Sequence, residues 1–138
     1  MQCHGNAGAA LLLAAGLGGE EVAGPVRRHN FETYGDTDTP PVDTALTAAD
    51  NMSGLVIACA MVKGGRLSEV TAKTVKKKVK DKAFAAGCNR DRIRRIETYM
   101  ELPAYYALSV AALQNIKEDL GAFMIVLSPC GSVGGDIT

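Results

Sequence analysis

The sequence contains no tryptophan, and its other aromatic residues are four tyrosines and three phenylalanines among 138 residues. A surface that stacks nucleic-acid bases on aromatic rings is therefore not expected, and the core must consist of aliphatic side chains and methionine. The chain also lacks net charge, since 15 basic residues balance 15 acidic ones. A balanced chain has no overall attraction to nucleic acid or to anionic membranes, so neither is predicted as a partner.

No Cys-x-x-Cys pair is present, because the four cysteines lie far apart, at Cys3, Cys59, Cys88 and Cys130. This spacing disfavours a zinc finger, a thioredoxin motif and a dense disulfide framework. Reduced thiols and a cytoplasmic location are predicted instead. The apolar stretch 7–17 is expected to be a packed helix and not a signal peptide, since no Lys or Arg precedes Arg27, and it is shorter than the ~20 residues of a membrane span.

Apolar residues make up 47% of the chain and charged residues 22%, which is ordinary for one globular domain. Apolar residues recur at helical spacing, and no strand alternation persists before position 122. The sequence therefore predicts an all-α, compact helical bundle over residues 1–121, with a loop at 32–41 and an irregular tail over 122–138. Helices are expected over 7–15, 20–29, 42–62, a lysine-rich segment that follows residue 68 or 71, 90–101 and 103–121.

Capping residues and helix breakers mark the expected ends of these helices. Asn6 is predicted to cap the first helix and Asn89 the fifth, while Ser68 or Thr71 caps the lysine-rich helix. Pro25 falls inside the second predicted helix, where it costs about 3 kcal/mol. That helix is therefore expected either to begin at Pro25 or to kink there.

The central predicted helix carries one acidic residue among apolar neighbours. Asp50 shares a helical row with Leu46, Ile57 and Met61, and the segment 55–62 is apolar on all sides, which is typical of a buried helix. A buried carboxylate costs several kcal/mol unless it is paired or bound to a metal. Asp50 is therefore either a metal ligand or a structural residue held by a hydrogen bond or a salt bridge.

Six lysines crowd into the segment 73–82, around a narrow apolar stripe of two valines. This pattern is typical of the solvated face of an amphipathic helix. The alternative is an electrostatic clamp for a phosphate-bearing small molecule, with Lys76, Lys77 and Lys78 as the phosphate-binding residues.

Three motifs follow one another between residues 43 and 90. They are Ala48-Ala49-Asp50-Asn51-Met52-Ser53-Gly54, Val75-Lys76-Lys77-Lys78 and Phe84-Ala85-Ala86-Gly87-Cys88-Asn89-Arg90. This pattern resembles the C-terminal part of the HD-domain family of HDIG type, whose members are described as metal-dependent phosphohydrolases with a compact all-α fold. A looser resemblance extends from His4 to Gly121, and the segment 4–9 is similar to the family's His-x-x-x-Gly-Ala helix start.

The resemblance implies a site for one or two divalent metal ions that activates water against a phosphoester. Asp50 matches the family's last metal-ligating aspartate. His4 and His29 match two further histidines that serve a second metal or the phosphate. Imidazole and carboxylate ligands suit Mn, Fe, Zn, Co or Mg, and such a metal lowers the pKa of its bound water.

The sequence departs from the family pattern at its beginning. The family's first His and its adjacent His-Asp pair lie upstream of the position matched by His4, and no His-Asp dipeptide occurs in this chain. The resemblance therefore implies an N-terminally truncated member with weak or absent metal binding, inactive or impaired as a phosphohydrolase, its catalytic residues unassigned. The alternatives are a non-catalytic phosphate- or nucleotide-binding module and a helical oligomerisation domain.

The same departure predicts self-association. Without the family's N-terminal helix, the apolar segment 55–62 is expected to be partly uncovered, and an exposed apolar face on the order of several hundred Å² is uncommon on monomers. The chain is expected to associate with itself through this face, and Leu55→Glu to break that contact. Alternatively, the N-terminal helix and the tail segment 123–127 cover the face.

Overall fold

The computed structural model describes residues 4–29 and 40–120, and all regular structure in these two ranges is helical. The predicted all-α fold is confirmed for this part of the chain. Most of the predicted loop and the tail lie outside the described residues. The α-helices are α1 His4–Ala14, α2 Glu20–Arg28, α3 Pro41–Met61, α4 Ala72–Lys80, α5 Arg90–Arg94 and α6 Leu102–Asn115. Two 3₁₀-helices precede α4 and follow α5, at Leu67–Glu69 and Arg95–Thr98.

The helices α1 and α2 pack against each other as a hairpin. A Cβ atom on Gly8 would lie 3.2 Å from Val26 Cγ1, so a side chain at this position would require Val26 to move by a few tenths of an ångström. The predicted break after α1 is confirmed, and Gly16 lies there at φ +67°, a backbone conformation that favours glycine. The predicted cap at Asn6 is wrong, because α1 already begins at His4 and Asn6 lies in its first turn.

The helix α2 continues through Pro25, which is buried, so the helix does not begin at the proline. Pro25 has no N–H to donate to the carbonyl four residues earlier. Its own carbonyl still accepts a hydrogen bond from the His29 amide at 2.9 Å. The helical hydrogen bonding therefore resumes after Pro25 and places His29 directly beyond the end of α2.

The central helix is α3, against which α2, α4, α5 and α6 all pack. Its side chains that are 0% exposed include Ala48, Met52, Leu55, Val56 and Cys59. By length and mean hydropathy α3 could also cross a membrane, but 39% of its most apolar window is buried in the bundle, and the core helix of a globular protein meets the same criteria. The core is aliphatic, as the shortage of aromatic residues predicts.

The segment 55–62 is better covered than the sequence predicts. Leu55 and Val56 are fully buried, and the large apolar side chains exposed in this segment are Met61 (39%) and Val62 (67%). The expectation of an uncovered circumference is wrong for most of the segment, because α4, α6 and the first 3₁₀-helix pack around α3. Self-association stays a prediction, but Leu55→Glu would disrupt the core instead of a surface.

Two predicted caps are confirmed. Thr71 Oγ1 accepts a hydrogen bond from the Thr74 amide at 3.3 Å at the start of α4. Asn89 Oδ1 accepts hydrogen bonds from two amides in the first turn of α5, at 3.0 and 3.2 Å. Such caps satisfy amides that have no partner inside the helix.

The predicted continuous helix 90–101 is wrong in its second half. The α-helix α5 ends at Arg94 and continues as the 3₁₀-helix Arg95–Thr98. The backbone of Glu101 is then extended, with ψ 137°, immediately before α6 begins at Leu102. The chain therefore changes direction between α5 and α6, and a single helix could not make this change.

The turn between α4 and α5 is organised by one buried arginine, Arg90, which is 9% exposed. Its guanidinium donates hydrogen bonds to four carbonyl oxygens of the turn, those of Asp81 (3.1 Å), Phe84, Ala85 (2.7 Å) and Cys88 (2.6 Å). These carbonyls are not satisfied by a helix, and the planar guanidinium supplies several donors in a fixed geometry. The arginine of the motif 84–90 therefore has a structural role.

The same turn packs closely on α3. A Cβ atom on Gly54 would lie 3.1 Å from Cys88 Sγ, so a larger residue at position 54 would press on the thiol. Asn51 Oδ1 accepts a hydrogen bond from the Asn89 amide at 2.7 Å. These two contacts fix the turn against the middle of α3, beside Asp50.

Burial of Cys59 and Tyr105 predicts a loss of stability at alkaline pH. Burial raises the pKa of the Cys59 thiol above its ordinary 9.0 and that of the Tyr105 hydroxyl above its ordinary 10.0. The unfolded chain therefore releases these protons first, so the stabilisation is fully present below pH 9.0 and is lost as pH rises further. Urea unfolding at about pH 7, 9 and 10.5 should show a falling midpoint.

The double variant Cys59→Ala/Tyr105→Phe is the control for this prediction. It removes both titrating groups, so its unfolding midpoint should fall less between neutral and alkaline pH than that of the original chain. An equal fall in the two proteins would contradict the assignment to these residues.

Candidate metal-binding cleft

An open cleft of about 430 Å³ lies between the end of α2 and the middle of α3. His29 lines it from α2, and Leu46, Asp50 and Ser53 line it from α3. Two of the three sequence-predicted metal ligands therefore reach the same cleft from different helices. The third, His4, stands at the start of α1 and contacts His29.

The imidazole rings of His4 and His29 face each other across the α1–α2 hairpin. Their Nε2 atoms are 3.1 Å apart. The ring centroids are 4.9 Å apart, and the ring planes meet at 74°. The packing of α1 on α2 thus joins two histidines that the sequence shows only as separate candidates.

A backbone carbonyl fixes the orientation of the His29 ring. His29 Nδ1 donates a hydrogen bond to the Val26 carbonyl oxygen in the last turn of α2. Because a carbonyl oxygen can only accept, Nδ1 carries the proton, and Nε2 of the neutral ring keeps its lone pair. His4 Nε2–H then donates to His29 Nε2 when no metal is bound. Metal-ligating histidines are commonly held by a hydrogen bond of this kind from the other ring nitrogen.

The histidine pair fits two nitrogen ligands of one divalent metal ion. Metal–nitrogen bonds of about 2.0–2.1 Å place two neighbouring ligand nitrogens about 2.9–3.4 Å apart, and the two Nε2 atoms are separated by 3.1 Å. Within residues 4–29 and 40–120, no three His, Cys, Asp or Glu side chains lie close enough together to hold a metal. The described residues therefore offer a two-histidine site with the Asp50 carboxylate in the same cleft.

Asp50 is exposed, and it borders the cleft beside Leu46, which is half-buried. The expectation that Asp50 lies on a buried face is wrong, because the helices packed on α3 leave this side open. An exposed carboxylate keeps its hydration and needs no partner to offset a desolvation cost. The structural alternative for Asp50, a compensating hydrogen bond or salt bridge, is correspondingly weakened.

An ion pair joins α2 to α3 beside the cleft. Arg28 Nε lies 2.5 Å from Asp43 Oδ2, and Arg28 Nη2 lies 3.0 Å from Asp43 Oδ1. The Asp43 side chain is 2% exposed, whereas that of Arg28 is 40% exposed. Because Arg28 directly precedes His29, this pair holds the end of α2, and with it His29, against α3.

This ion pair is absent from the sequence-based candidates, although a signal for it exists. Arg28 lies in the last turn of α2 and Asp43 in the first turn of α3. A cation is favourable at a helix C-terminus and an anion at a helix N-terminus. Only the packing of the two helix ends shows that these residues meet.

The three predicted phosphate-binding lysines do not converge. Lys76 lines a second cleft beside α6, and Lys77 is exposed. Lys78 Nζ lies 3.2 Å from Asp81 Oδ2 and 4.3 Å from the centre of the Phe84 ring, and it holds the pKa of the Asp81 carboxyl below its ordinary value. Consecutive residues of a helix point in directions about 100° apart, so these lysines face different surroundings.

The structure assigns different roles to the residues of the motif 48–54. Ala48 is fully buried in the core, Asp50 faces the cleft, and Gly54 makes room for Cys88. The motif therefore combines cleft residues, which also include Ala49 and Ser53, with packing residues. No protein-family model, curated protein or solved structure matches this chain.

Proposed function

We propose that the chain is a metal-dependent phosphohydrolase-like domain of the HD type, inactive or impaired in hydrolysis. It binds one divalent metal ion through His4 and His29, with Asp50 supplying negative charge from the same cleft. The observation that carries the proposal is the 3.1 Å separation of the two Nε2 atoms, with His29 lining the same cleft as Asp50. The resemblance of residues 43–90 to HD-domain proteins supports it independently.

The ligand chemistry favours particular ions. Imidazole nitrogens suit Zn, Fe or Co better than Mg²⁺, which prefers oxygen ligands. A bound ion lowers the pKa of its water and neutralises charge on a phosphoester. In this chain the Val26 carbonyl keeps His29 Nε2 available, and Asp50 supplies negative charge on the α3 side of the cleft. The sequence contains no His-Asp dipeptide, so low or absent turnover is expected.

Zinc affinity measured by calorimetry tests this proposal. His4→Ala and His29→Ala are each expected to weaken Zn²⁺ binding at least about tenfold, because each removes one ligand bond. Asp50→Asn should weaken it less, because the carboxylate contributes charge and not a ligand bond, and should change the free energy of unfolding by less than about 0.5 kcal/mol because the side chain is exposed. Hydrolysis of a phosphomonoester with Zn²⁺ or Mn²⁺ then measures whether turnover remains.

Asp91→Asn is the matched control, since it changes an exposed carboxylate at the start of α5, outside the cleft. Its zinc affinity should equal that of the original chain. If both histidine variants also bind zinc as well as the original chain, the metal-site proposal fails. A non-catalytic phosphate- or nucleotide-binding module and a helical oligomerisation domain are then the remaining alternatives. Cytoplasmic location and the lack of nucleic-acid and membrane partners stay predictions.

A further inference from the structure

A second cleft, of about 290 Å³, lies between α4 and the start of α6. Its charged lining consists of Lys76, Lys80, Arg94, Glu97 and Glu101. None of its lining residues belongs to the cleft that contains His29 and Asp50. The two clefts are therefore separate sites.

Three cations line this second cleft. Lys76 and Lys80 are four residues apart on α4, so they share one helical face and repel each other. Arg94 adds a third positive charge from the end of α5. None of the three forms an ion pair with another residue in the described ranges, so an anion in the cleft would relieve their repulsion.

A buried tyrosine also lines this cleft. The Tyr106 residue is 5% exposed, and its hydroxyl, which has no hydrogen-bond partner among the described residues, is not one of the fully buried polar atoms. Burial raises the pKa of this hydroxyl, so it remains a donor at neutral pH. The hydroxyl is therefore free to donate a hydrogen bond to an acceptor atom of a ligand in the cleft.

The first turn of α6 also borders this cleft, although Pro103 in that turn has no N–H to donate. Leu102, the first residue of this 14-residue helix, lines the cleft, and the first turn contains no acidic side chain. Amides at the start of a helix lack partners within the helix and favour negative charge. Three cations, one hydroxyl and a helix start thus surround one space.

We propose that this cleft binds the phosphate group of a small phosphorylated metabolite. Lys76, Lys80 and Arg94 surround the phosphate, and the Tyr106 hydroxyl donates a hydrogen bond to it. This site shares Lys76 with the phosphate site predicted from the sequence. Its other two cations are Lys80, one turn later on α4, and Arg94 on α5. This site does not depend on the proposed metal site.

The two carboxylates restrict the kind of ligand. Glu97 and Glu101 border the same cleft, and carboxylates accept hydrogen bonds from hydroxyl or amino groups. They also repel additional negative charge, so a polyanion such as nucleic acid fits poorly. A phosphomonoester with hydroxyl groups fits both sides of the cleft.

Calorimetric binding of inorganic phosphate and of glycerol 1-phosphate, in the presence of EDTA and at constant ionic strength, tests the proposal. Lys80→Gln and Arg94→Gln are each expected to weaken both affinities about tenfold, because each removes a charge-assisted hydrogen bond. Tyr106→Phe should weaken them about fivefold, the effect of one neutral hydrogen bond. Circular dichroism checks that each variant is folded.

Lys77→Gln is the matched control, because it makes the same change on the same helix outside the cleft. Its phosphate affinity should be unchanged, and that of His29→Ala should be unchanged too. The proposal is overturned if the original chain binds no phosphate, or if Lys77→Gln weakens binding as much as Lys80→Gln. Glu97→Gln should lower the affinity for glycerol 1-phosphate more than the affinity for inorganic phosphate. An unchanged ratio of the two affinities would overturn the assignment to a hydroxylated metabolite.

Discussion

Arg90→Met is expected to lower the free energy of unfolding by about 3–5 kcal/mol. Arg90 donates to four carbonyl oxygens of the α4–α5 turn and is almost completely buried. Hydrogen bonds from a charged donor contribute about 1.5–3 kcal/mol each, and hydration of the released carbonyls offsets part of that sum. The loss is large against a typical total stability of about 5–15 kcal/mol.

Urea unfolding of two further variants makes this test specific. Arg94→Met changes an exposed arginine of the same helix and should cost less than about 0.5 kcal/mol. The loss of stability in Arg90→Lys should lie between those of Arg90→Met and Arg94→Met, because lysine keeps the charge but lacks the planar set of donors. If Arg90→Met cost less than about 1 kcal/mol, the turn would not depend on these hydrogen bonds.

Arg28→Ala is expected to cost about 2–3 kcal/mol, because it leaves the buried Asp43 carboxylate without its partner. The cost is below that of breaking a fully buried pair, since 40% of the Arg28 side chain is exposed and solvent screens the interaction. The variant should also weaken zinc binding, because the ion pair holds the end of α2 that carries His29. Urea unfolding and zinc calorimetry on the same protein measure both effects.

Variants of the neighbouring Arg27 and of the ion-pair partner Asp43 are the controls for Arg28→Ala. Arg27 forms an exposed ion pair with Glu20 at 2.9 Å, so Arg27→Ala should cost less than about 1 kcal/mol and leave zinc affinity unchanged. Asp43→Ala should cost less than Arg28→Ala, because the remaining arginine can reach water. Equal zinc affinities for Arg28→Ala and Arg27→Ala would show that the ion pair does not position His29.

The sequence predicts the helices well because their ends depend on local chemistry. Gly16, Thr71 and Asn89 act through their own backbone or side chain within a few residues, so their effects can be recognised without a partner. Pro25 shows the limit of such reasoning. The sequence shows that Pro25 has no N–H to donate. Whether the helix continues through it depends on the packing of α1 and α3, which the sequence does not show.

The candidate sites depend on contacts between distant residues, which one sequence does not show. Arg90 is a charged residue, and nothing local indicates that it turns inward to the carbonyls of the preceding turn. Asp50 has apolar neighbours along its helix, but its exposure is decided by where the other helices pack. The lysines were partly predictable, because helical geometry alone separates Lys76 from Lys77 and places it with Lys80.

The close contact between Gly54 and Cys88 links the evolutionary histories of these two positions. Because a Cβ atom at position 54 would lie 3.1 Å from the thiol, which would have to move by a few tenths of an ångström, alanine is accommodated more easily there after residue 88 has become smaller. The order of substitutions therefore matters, and the reverse order passes through a destabilised chain. Among descendants of this sequence, glycine at position 54 should persist wherever residue 88 keeps a side chain at least as large as cysteine.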